Sequence, residues 1–340
     1  MQAAYNGKSN NLFLADFLEN QIDKDHPYRK VLSLLDFQLL LSNYHELYSK
    51  RGAPGIPLIK GFKALLLQHW KNISDRQMED YLRDSFSAKF FCDFALDETT
   101  PDHSYFCKLR KRIGLGKLTE IFNDIVKILN DKGYLGETFY FVDASALRAR
   151  VNIWEARDKA LEDKNNTEKD DDDNPKMNNK NVSKYSTDKD AKFGAKGKNN
   201  FWFGYKLHVL MDFKFGFITK NTVTSAEVPD YKALLTENLL PSQGMVFADK
   251  GYDYKDVHDA LRHKGCGNAV IRKKTSQDKN RELDKWRSSI RMPGEGVFSQ
   301  MPKKTRFIGQ VKVEFGAMMQ SMVYNLKLLS RIGQIVPSLA

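Results

Sequence analysis

The sequence predicts an α/β domain, a mixed β-sheet with helices packed on its faces, preceded by an all-α block. Two short apolar runs support this prediction, because one ends on Asp143 and the other on Asp249. From the first run onward the segments follow the order strand, hairpin, helix, strand, helix, strand and helical tail. Residues before the first run show helical periodicity instead. We therefore expect a helical domain over residues 1–132 and a sheet domain over residues 133–340.

The N-terminal block is predicted to be a series of helices. Apolar residues recur at helical spacing over Val31–Tyr48 and over Leu58–Lys71, and a Gly- and Pro-rich loop separates the two. Ser74 suits the N-cap of a third helix. A further helix is expected to begin within residues 99–106. The basic face of this helix would carry Lys108, Arg110, Lys111 and Arg112. The block could read DNA through a helix–turn–helix, or it could serve dimerisation or packing alone.

The two apolar runs are predicted to be strands buried on both faces. The run TFYFVDASA, over Thr138–Ala146, is aromatic and β-branched without polar alternation, and Asp143 would sit where this strand leaves the core. The run MVFAD ends on Asp249 in the same way. One aspartate alone would serve as a turn cap. Two such strands instead predict a site for Mg²⁺ or Mn²⁺, with a third acid from a later helix.

A polar stretch interrupts the sheet domain at about residues 158–200. It is rich in Lys, Asp and Asn and has few large apolar residues, so it is expected to be a disordered or solvated insert. Four consecutive aspartates lie within it at residues 170–173. Charge runs of this kind are usually solvated, and we do not expect them to bind a metal.

Composition narrows the class of partner. The chain has 340 residues, a formal net charge of +11 and a sequence pI near 9.3, which favours a polyanionic partner, nucleic acid first. A merely basic protein is the alternative. The three cysteines are far apart and form no CxxC motif, so reduced thiols in a cytosolic protein are expected. No apolar run approaches the roughly 18 residues that a membrane span needs.

Several motifs occur together between Asp25 and Leu329. The helical block contains LIKGFKALLLQHWKNISDRQMEDYLRD and TPDHSYFCKLRKRIG, and the sheet domain contains FVDAS, GYKLH, ADKGYD and RMPGEGVFSQMPKK in that order. In combination they resemble the bacterial insertion-sequence DDE transposases of the insertion-sequence-five type. The resemblance implies a ribonuclease H-like catalytic domain over residues 133–340, preceded by a helical domain for DNA-end binding or dimerisation.

The resemblance also implies a triad of acids. Asp143 and Asp249 match the first two acids of the family motif, and Glu295 matches the third. Such a triad holds two Mg²⁺ ions, which Mn²⁺ can replace. Three carboxylates suit phosphodiester chemistry because two ions can activate the attacking oxygen and neutralise the leaving oxygen.

The surroundings of the third acid match the family signature in part. Arg291 stands four residues before the third acid, as the signature requires. Ser288 occupies the position of a family tyrosine, and Pro302 that of a family lysine. Glu282 and Glu314 remain the alternative choices for the third acid.

Candidate DNA contacts surround the predicted acids. Lys206 and His208 share one face of the strand FGYKLHV, which would be either a phosphate contact or a solvent-facing edge. Other candidates follow the second aspartate, precede the third acid, or lie in a basic C-terminal segment. The full set of candidate contacts is Lys206, His208, Lys250, Tyr252, Arg291, Lys303, Lys304 and Arg306.

The resemblance implies metal-dependent cleavage and strand transfer at the ends of an insertion sequence. The expected partners are double-stranded DNA, as terminal inverted repeats and as target, and a second copy of the chain. The expected location is the bacterial cytoplasm, at the nucleoid. Two alternatives remain open: a metal-dependent nuclease without joining activity, and a decayed DNA-binding relative that has kept only the fold.

Overall fold

The computed structural model describes residues 12–47, 55–167, 179–196, 200–236, 239–291 and 295–332. They form two compact units. A helical unit contains the described residues of Met1–Ile128 and of Met319–Ala340, and a sheet unit contains those of Leu129–Met318. The stretch Met319–Ile332, which the sequence assigns to the sheet domain, thus belongs to the helical unit. Within the described residues no helix is both long and apolar enough to cross a bilayer.

The helical unit is built around one helix that is buried on almost every side. This helix, Leu58–Lys71, has the bounds that its periodicity predicts, and Phe62 and Leu65–Leu67 are fully buried within it. Its Lys60 is also buried, and its Nζ lies 2.6 Å from Oε2 of the equally buried Glu98. A buried lysine is tolerated because a carboxylate compensates its charge. The described helices of this part of the chain are α1 Leu12–Asn20, α2 Pro27–Leu34, α3 Phe37–Leu40, α4 Leu58–Lys71, α5 Asp75–Asp84, α6 Phe86–Phe91 and α7 His103–Asp131.

The single helix predicted over Val31–Tyr48 is wrong. α2 ends at Leu34, and Leu35 has extended backbone. Asp36 then caps α3, because its Oδ1 accepts hydrogen bonds from the backbone N–H groups of Gln38 and Leu39 at 2.8 and 3.1 Å. An aspartate in this position competes for backbone donors and restarts the helix.

Two later caps follow their residue types. Ser74 caps α5 as predicted, and its side chain and that of Gln77 each accept a hydrogen bond from the other residue's backbone N–H. The carboxylate of Asp102 accepts the backbone N–H of Tyr105 at 3.0 Å and so begins α7. Gly114, at φ +66°, divides α7 into two segments at a kink, a conformation that glycine adopts without strain.

The sheet unit contains a six-stranded sheet with helices before, between and after its strands. Its strands are β1 Phe139–Arg148, β2 Lys192–Lys196, β3 Asn200–Asp212, β4 Ile218–Ser225, β5 Met245–Ala248 and β6 Gly267–Val270. Its helices are α8 Ile153–Thr167, α9 Asn179–Tyr185, α10 Asp230–Leu234, α11 Lys255–His263, α12 Arg281–Arg291, α13 Glu295–Ser299 and α14 Gln310–Ile332, the last of which runs on into the helical unit.

Strand order gives the fold class. The path across the sheet is β4–β3–β1–β5–β6, and β2 continues along β3 beyond β4. β4, β3 and β1 pair antiparallel, whereas β1, β5 and β6 pair parallel. A three-stranded antiparallel meander followed by parallel strands is the mixed sheet of the ribonuclease H-like fold, so the predicted fold class is confirmed.

β1 is longer than its apolar run. It continues past Asp143 to Arg148, because β3 pairs with it along its whole second half, where Ala144 lies opposite His208 and Arg148 opposite Gly204. Asp143 therefore lies in the middle of a strand, whereas the sequence predicted that it would lie at the end of one. Small residues after Asp143 carry no hydrophobic signal, which is why the sequence pattern ended too early.

The two faces of the sheet have different neighbours. Tyr140, Val142 and Val246 belong to a buried cluster with residues of α10 and α11, and we call this side the core face. The other side carries Phe141 and Phe247, whose ring centroids lie 5.6 Å apart. Because side chains alternate along a strand, Asp143 shares this second side with Phe141, and we call it the aspartate face.

The polar stretch expected to be disordered is ordered over much of its length. α8, α9 and β2 lie within or overlap it, and residues 168–178 lie outside the described residues. Asp188 is fully buried, and its Oδ1 accepts the hydroxyl of Tyr205 on β3 at 2.7 Å. Ala191 is also fully buried. Polar composition misled the prediction because these few buried residues attach the segment to the sheet.

Candidate active site

The register of two parallel strands gives the two predicted aspartates equivalent positions. Phe139 pairs with Met245 and Phe141 with Phe247. Asp143 and Asp249 each stand two residues beyond this last pair, and Asp249 still has extended backbone, at φ −68° and ψ 164°. Because side chains alternate, this equal offset predicts that both aspartates lie on the aspartate face.

Local hydrogen bonds orient both carboxylates. Oδ1 of Asp143 accepts the backbone N–H of Ala144 at 2.8 Å. Oδ1 of Asp249 accepts the backbone N–H of Lys250 and so caps a short 3₁₀ helix, Lys250–Tyr252. Both side chains are partly exposed, so solvent and ions can reach them. Their donor atoms are all oxygens, the type that Mg²⁺ and Mn²⁺ prefer.

The helix α12 packs on the same face. Its Trp286 lies with its ring centroid 6.0 Å from that of Phe247. Phe247 is two residues before Asp249 on the same strand, so α12 covers the sheet directly beside the aspartates. The chain that leads to the third predicted acid therefore starts from this face.

The position of the third predicted acid, Glu295, relative to the two aspartates stays a prediction. Glu295 begins α13, but its side chain and residues 292–294 lie outside the described residues. After α13, the backbone of Lys303 accepts the N–H of Arg148 at 2.9 Å, and Thr305 donates to the carbonyl of Arg148 at 2.9 Å. The segment that contains Glu295 thus runs between α12 and the end of β1. Within the described residues, no three His, Cys, Asp or Glu side chains form a group that could hold a metal.

The alternative acids lie elsewhere. Glu282 is exposed in the first turn of α12. Glu314 accepts the hydroxyl of Thr222 on β4 at 3.3 Å, and burial raises the pKa of this carboxyl. Thr222 pairs with His208 on β3, and that pair shares the core face. The structure therefore does not bring Glu314 to the two aspartates.

Lys206 and His208 are not at the aspartates, contrary to the prediction. They lie opposite Ala146 and Ala144 of β1, which places them on the core face. Nζ of Lys206 donates to the carbonyl of Val228 at 2.8 Å and also lies 2.8 Å from the carboxylate of Asp230. His208 is fully buried, and its Nε2 lies 2.8 Å from Oγ1 of Thr224. Alternation predicted a shared face correctly, but it does not tell which face is covered.

Of the two predicted DNA contacts that follow Asp249, Lys250 and Tyr252, one is exposed and the other is buried. Lys250 is exposed next to the acid. Tyr252 is only 2 % exposed and belongs to the cluster on the core face, so the structure contradicts the predicted contact with DNA. Its aromatic ring anchors the turn instead. Arg291 ends α12, and its side chain lies outside the described residues.

The basic C-terminal segment lies along the end of β1. Lys304 forms a parallel bridge with Arg148, and Lys303, Lys304 and Arg148 are all exposed. Arg306 is half-buried nearby in sequence. Sequence reasoning missed Arg148 and the exposed Arg150. The signal was the motif LRAR directly after the first predicted strand, which places two arginines at strand spacing.

Comparison with known proteins identifies the family of the chain. Residues 135–326 match the family described as transposase DDE domain, and residues 16–112 match the family described as transposase domain (DUF772). A cryo-EM structure of the piggyBac transposase synaptic complex with hairpin DNA is similar over 98% of this chain and 79% of that one, at 9% identity and a TM-score of 0.38. The first match covers more than half of the 340 residues. The predicted resemblance to insertion-sequence DDE transposases is confirmed, while the insertion-sequence-five type stays a prediction. The chain therefore belongs to the family of DNA transposases that carry the transposase DDE domain.

Proposed function

We propose that this chain cuts DNA strands at the ends of an insertion sequence and joins them to a target, using Mg²⁺ held by Asp143, Asp249 and Glu295. The observation that carries the proposal is the equal offset of Asp143 and Asp249 from the Phe141–Phe247 pair, on one face of a ribonuclease H-like sheet. Within this family, two carboxylates on adjacent strands are best explained as a shared cation site. Glu295 is included by resemblance and by the path of its chain.

The residues present suit two Mg²⁺ ions, for which Mn²⁺ can substitute. Mg²⁺ usually takes one or two protein carboxylates and completes its shell with water and substrate phosphate, so a pair of aspartates with a third acid is sufficient. When bound, the ions would activate the attacking water or 3′-hydroxyl and neutralise charge on the leaving oxygen. The role of Asp143 and Asp249 is to present oxygens from strands whose positions the sheet fixes.

The basic segment beside β1 is proposed to hold the phosphate backbone of the DNA. Arg148 and Lys304 form a bridge five residues beyond Asp143, roughly 17 Å along the strand, and these two residues and Lys303 are exposed. Lys250 and Arg291 are proposed as further contacts closer to the acids. Contacts of this type position DNA without reading its sequence.

In the helical unit, the first segment of α7 is proposed to face the DNA ends. Lys108, Lys111 and Arg112 are exposed at spacings that place them on one side of the helix. Arg110, by contrast, turns inward, and its guanidinium Nη1 lies 3.0 Å from Oδ1 of Asp75. No acidic residue occurs between Asp102 and Glu120 in the sequence. The matching partner is double-stranded DNA, bound by at least two copies of the chain at the bacterial nucleoid.

The test is a pair of assays on purified protein with Mg²⁺. One follows cleavage of duplex DNA that carries an insertion-sequence end, and the other follows joining of a pre-cut end to a plasmid. Asp143→Asn and Asp249→Asn should each lower both rates by at least about 100-fold, since several kcal/mol of charge stabilisation are lost. Asp259→Asn, which changes an acid in an ion pair on the surface of α11, is the matched control and should cleave and join like the wild type.

The outcomes separate the alternatives. Wild-type protein that cuts but never joins would be a nuclease without transposase activity. Wild-type protein that binds the ends but neither cuts nor joins would be a decayed relative. Normal cleavage by Asp143→Asn would contradict the proposed site.

A further inference from the structure

A network of buried charged groups lies behind Asp249, outside the set of residues assigned so far. Asp253 follows the 3₁₀ helix that Asp249 caps, and its side chain is only 8% exposed. Its Oδ1 accepts from Nε2 of His258 at 2.8 Å and from Nη1 of Arg272 at 3.0 Å. Its Oδ2 accepts the backbone N–H of Lys273 at 2.7 Å. The carboxylate thus ties the chain after β5 to the chain after β6.

The histidine in this network is held in one orientation. Nδ2 of Asn268 lies 2.7 Å from Nδ1 of His258. Nε2 of His258 also contacts Nη1 of Arg272, so Asp253, His258 and Arg272 form one connected cluster. Burial alone would raise the pKa of Asp253, but the hydrogen bonds from Lys273, Arg272 and His258 outweigh it and lower the pKa. Asp253 is therefore a charged acceptor with its donors in place.

A second buried aspartate holds the same segment from the other side. Asp284 of α12 accepts the backbone N–H of Arg272 at 3.2 Å. Its other neighbours are Nζ of Lys279 at 3.2 Å and Nη1 of Arg287 at 3.3 Å. Arg287 also donates to the carbonyl of Val270, the last residue of β6, at 3.1 Å. Two consecutive backbone N–H groups, those of Arg272 and Lys273, are thus bound by aspartates from two different elements.

We propose that Asp253 and Asp284 are positioning residues that fix the turn of Asp249 and the helix α12 to one segment, Ile271–Lys273, and so set the distance between the second acid and the chain of the third. This inference rests on the proposed function, since it concerns the same metal site. Neither aspartate needs to touch the metal or the DNA. Their part is to keep the ligands in place before an ion arrives, and loss of such outer partners commonly weakens metal affinity 10- to 100-fold.

The decisive variant is Asp253→Asn, which keeps the size of the side chain. An amide has one acceptor oxygen and cannot serve donors on both sides, so its nitrogen would face the N–H of Lys273 or the guanidinium of Arg272. We expect Mn²⁺ affinity, measured by calorimetry with the metal alone, to fall at least about tenfold. Amide hydrogen exchange of the peptide 249–254 in metal-free protein should accelerate, while exchange in the strands β1 and β3 stays unchanged.

Matched variants keep the test specific. Asp259→Asn removes the same charge from the exposed pair with Arg262 and should bind Mn²⁺ like the wild type. His258→Gln retains an N–H donor for Asp253 and should bind Mn²⁺ better than His258→Ala. Asp284→Asn should weaken Mn²⁺ binding while accelerating exchange in α12, which separates its effect from that of Asp253→Asn.

Two results would overturn the inference. One is unchanged exchange over 249–254 in Asp253→Asn; the other is accelerated exchange with unchanged Mn²⁺ affinity, which would make the network structural only. Failure of the proposed function would give a different result: the wild type and Asp249→Ala would show the same Mn²⁺ binding, or none. In that case no ligand is positioned, and the inference fails with it.

Discussion

His208 illustrates how burial decides the role of a single side chain. Burial lowers its pKa to about 4, Asp230 opposes this shift, and Lys206 adds to it. The folded protein therefore holds a neutral ring against Thr224, while the unfolded chain protonates the same residue near pH 6.5. Between these two values the unfolded state binds more protons, so His208 lowers stability as pH falls through this window, by about 3 kcal/mol in all.

The variant His208→Gln tests this assignment. Glutamine can place an amide nitrogen where Nε2 bonds Thr224, but it does not titrate. We expect the loss in free energy of unfolding between pH 7.5 and 5 to be smaller in the variant by about 2 kcal/mol, as measured by urea denaturation. The exposed His263→Gln serves as control and should keep the wild-type pH dependence. Equal pH dependence in His208→Gln and wild type would contradict the buried neutral ring.

At the scale of elements, the first segment of α7 has one side packed against the helical unit and another side exposed to solvent. Phe106 and Leu109 are buried, and Arg110 binds Asp75, which holds the first segment against the unit. The kink at Gly114 ends this segment, so its exposed cations form a surface separate from that of the second segment. A rigid basic helix of this kind suits the DNA backbone or a groove.

The triple variant Lys108→Ala, Lys111→Ala and Arg112→Ala should weaken binding to duplex DNA that carries an insertion-sequence end. Each lost phosphate contact removes about 0.9 from the slope of log affinity against log salt, so the slope should fall by about 2 to 3. Fluorescence anisotropy over a range of salt concentrations measures this slope. An equal loss of charge in Lys24→Ala, Lys127→Ala and Lys132→Ala, all exposed, should have little effect. Similar slopes in both triple variants would show a non-specific charge effect and contradict the proposed face.

The elements also show what the sequence could predict. α4 and the cap at Ser74 were predictable because periodicity and residue type act within a few residues. The two aspartates were predictable because apolar strand runs lead up to both. The burial of Lys206 and Tyr252 was not, because it depends on which helices cover the core face. The role of Asp253 was not predictable for a similar reason, because its partners Arg272 and Lys273 follow a different strand, β6.

At the scale of the whole molecule, the helical unit is completed by a distant part of the chain. Nε2 of Gln320 in α14 donates to the carbonyl of His69 in α4 at 3.3 Å, and Nζ of Lys327 donates to that of Trp70 at 3.2 Å. Met319 and Met322 are fully buried. The second half of α14 is therefore part of the core of this unit.

Met322→Ala should destabilise the helical unit by about 2 to 5 kcal/mol, because it leaves a cavity in a packed core. Amide exchange in α4 should accelerate, and the thermal unfolding temperature should fall. Val311→Ala, on the same helix but 65% exposed, should leave both measurements unchanged. Slow exchange in α4 of Met322→Ala would contradict the assignment of this part of α14 to the helical core.

The return of α14 to the helical unit has a consequence for synthesis on the ribosome. The helices before residue 129 cannot complete their core until residues 319–332 have emerged, after the entire sheet unit. A nascent chain or a prematurely terminated product that stops before residue 319 would thus expose apolar surface of α4 and its neighbours, a state prone to aggregation and proteolysis. Truncated messages from this gene should accordingly yield little stable polypeptide.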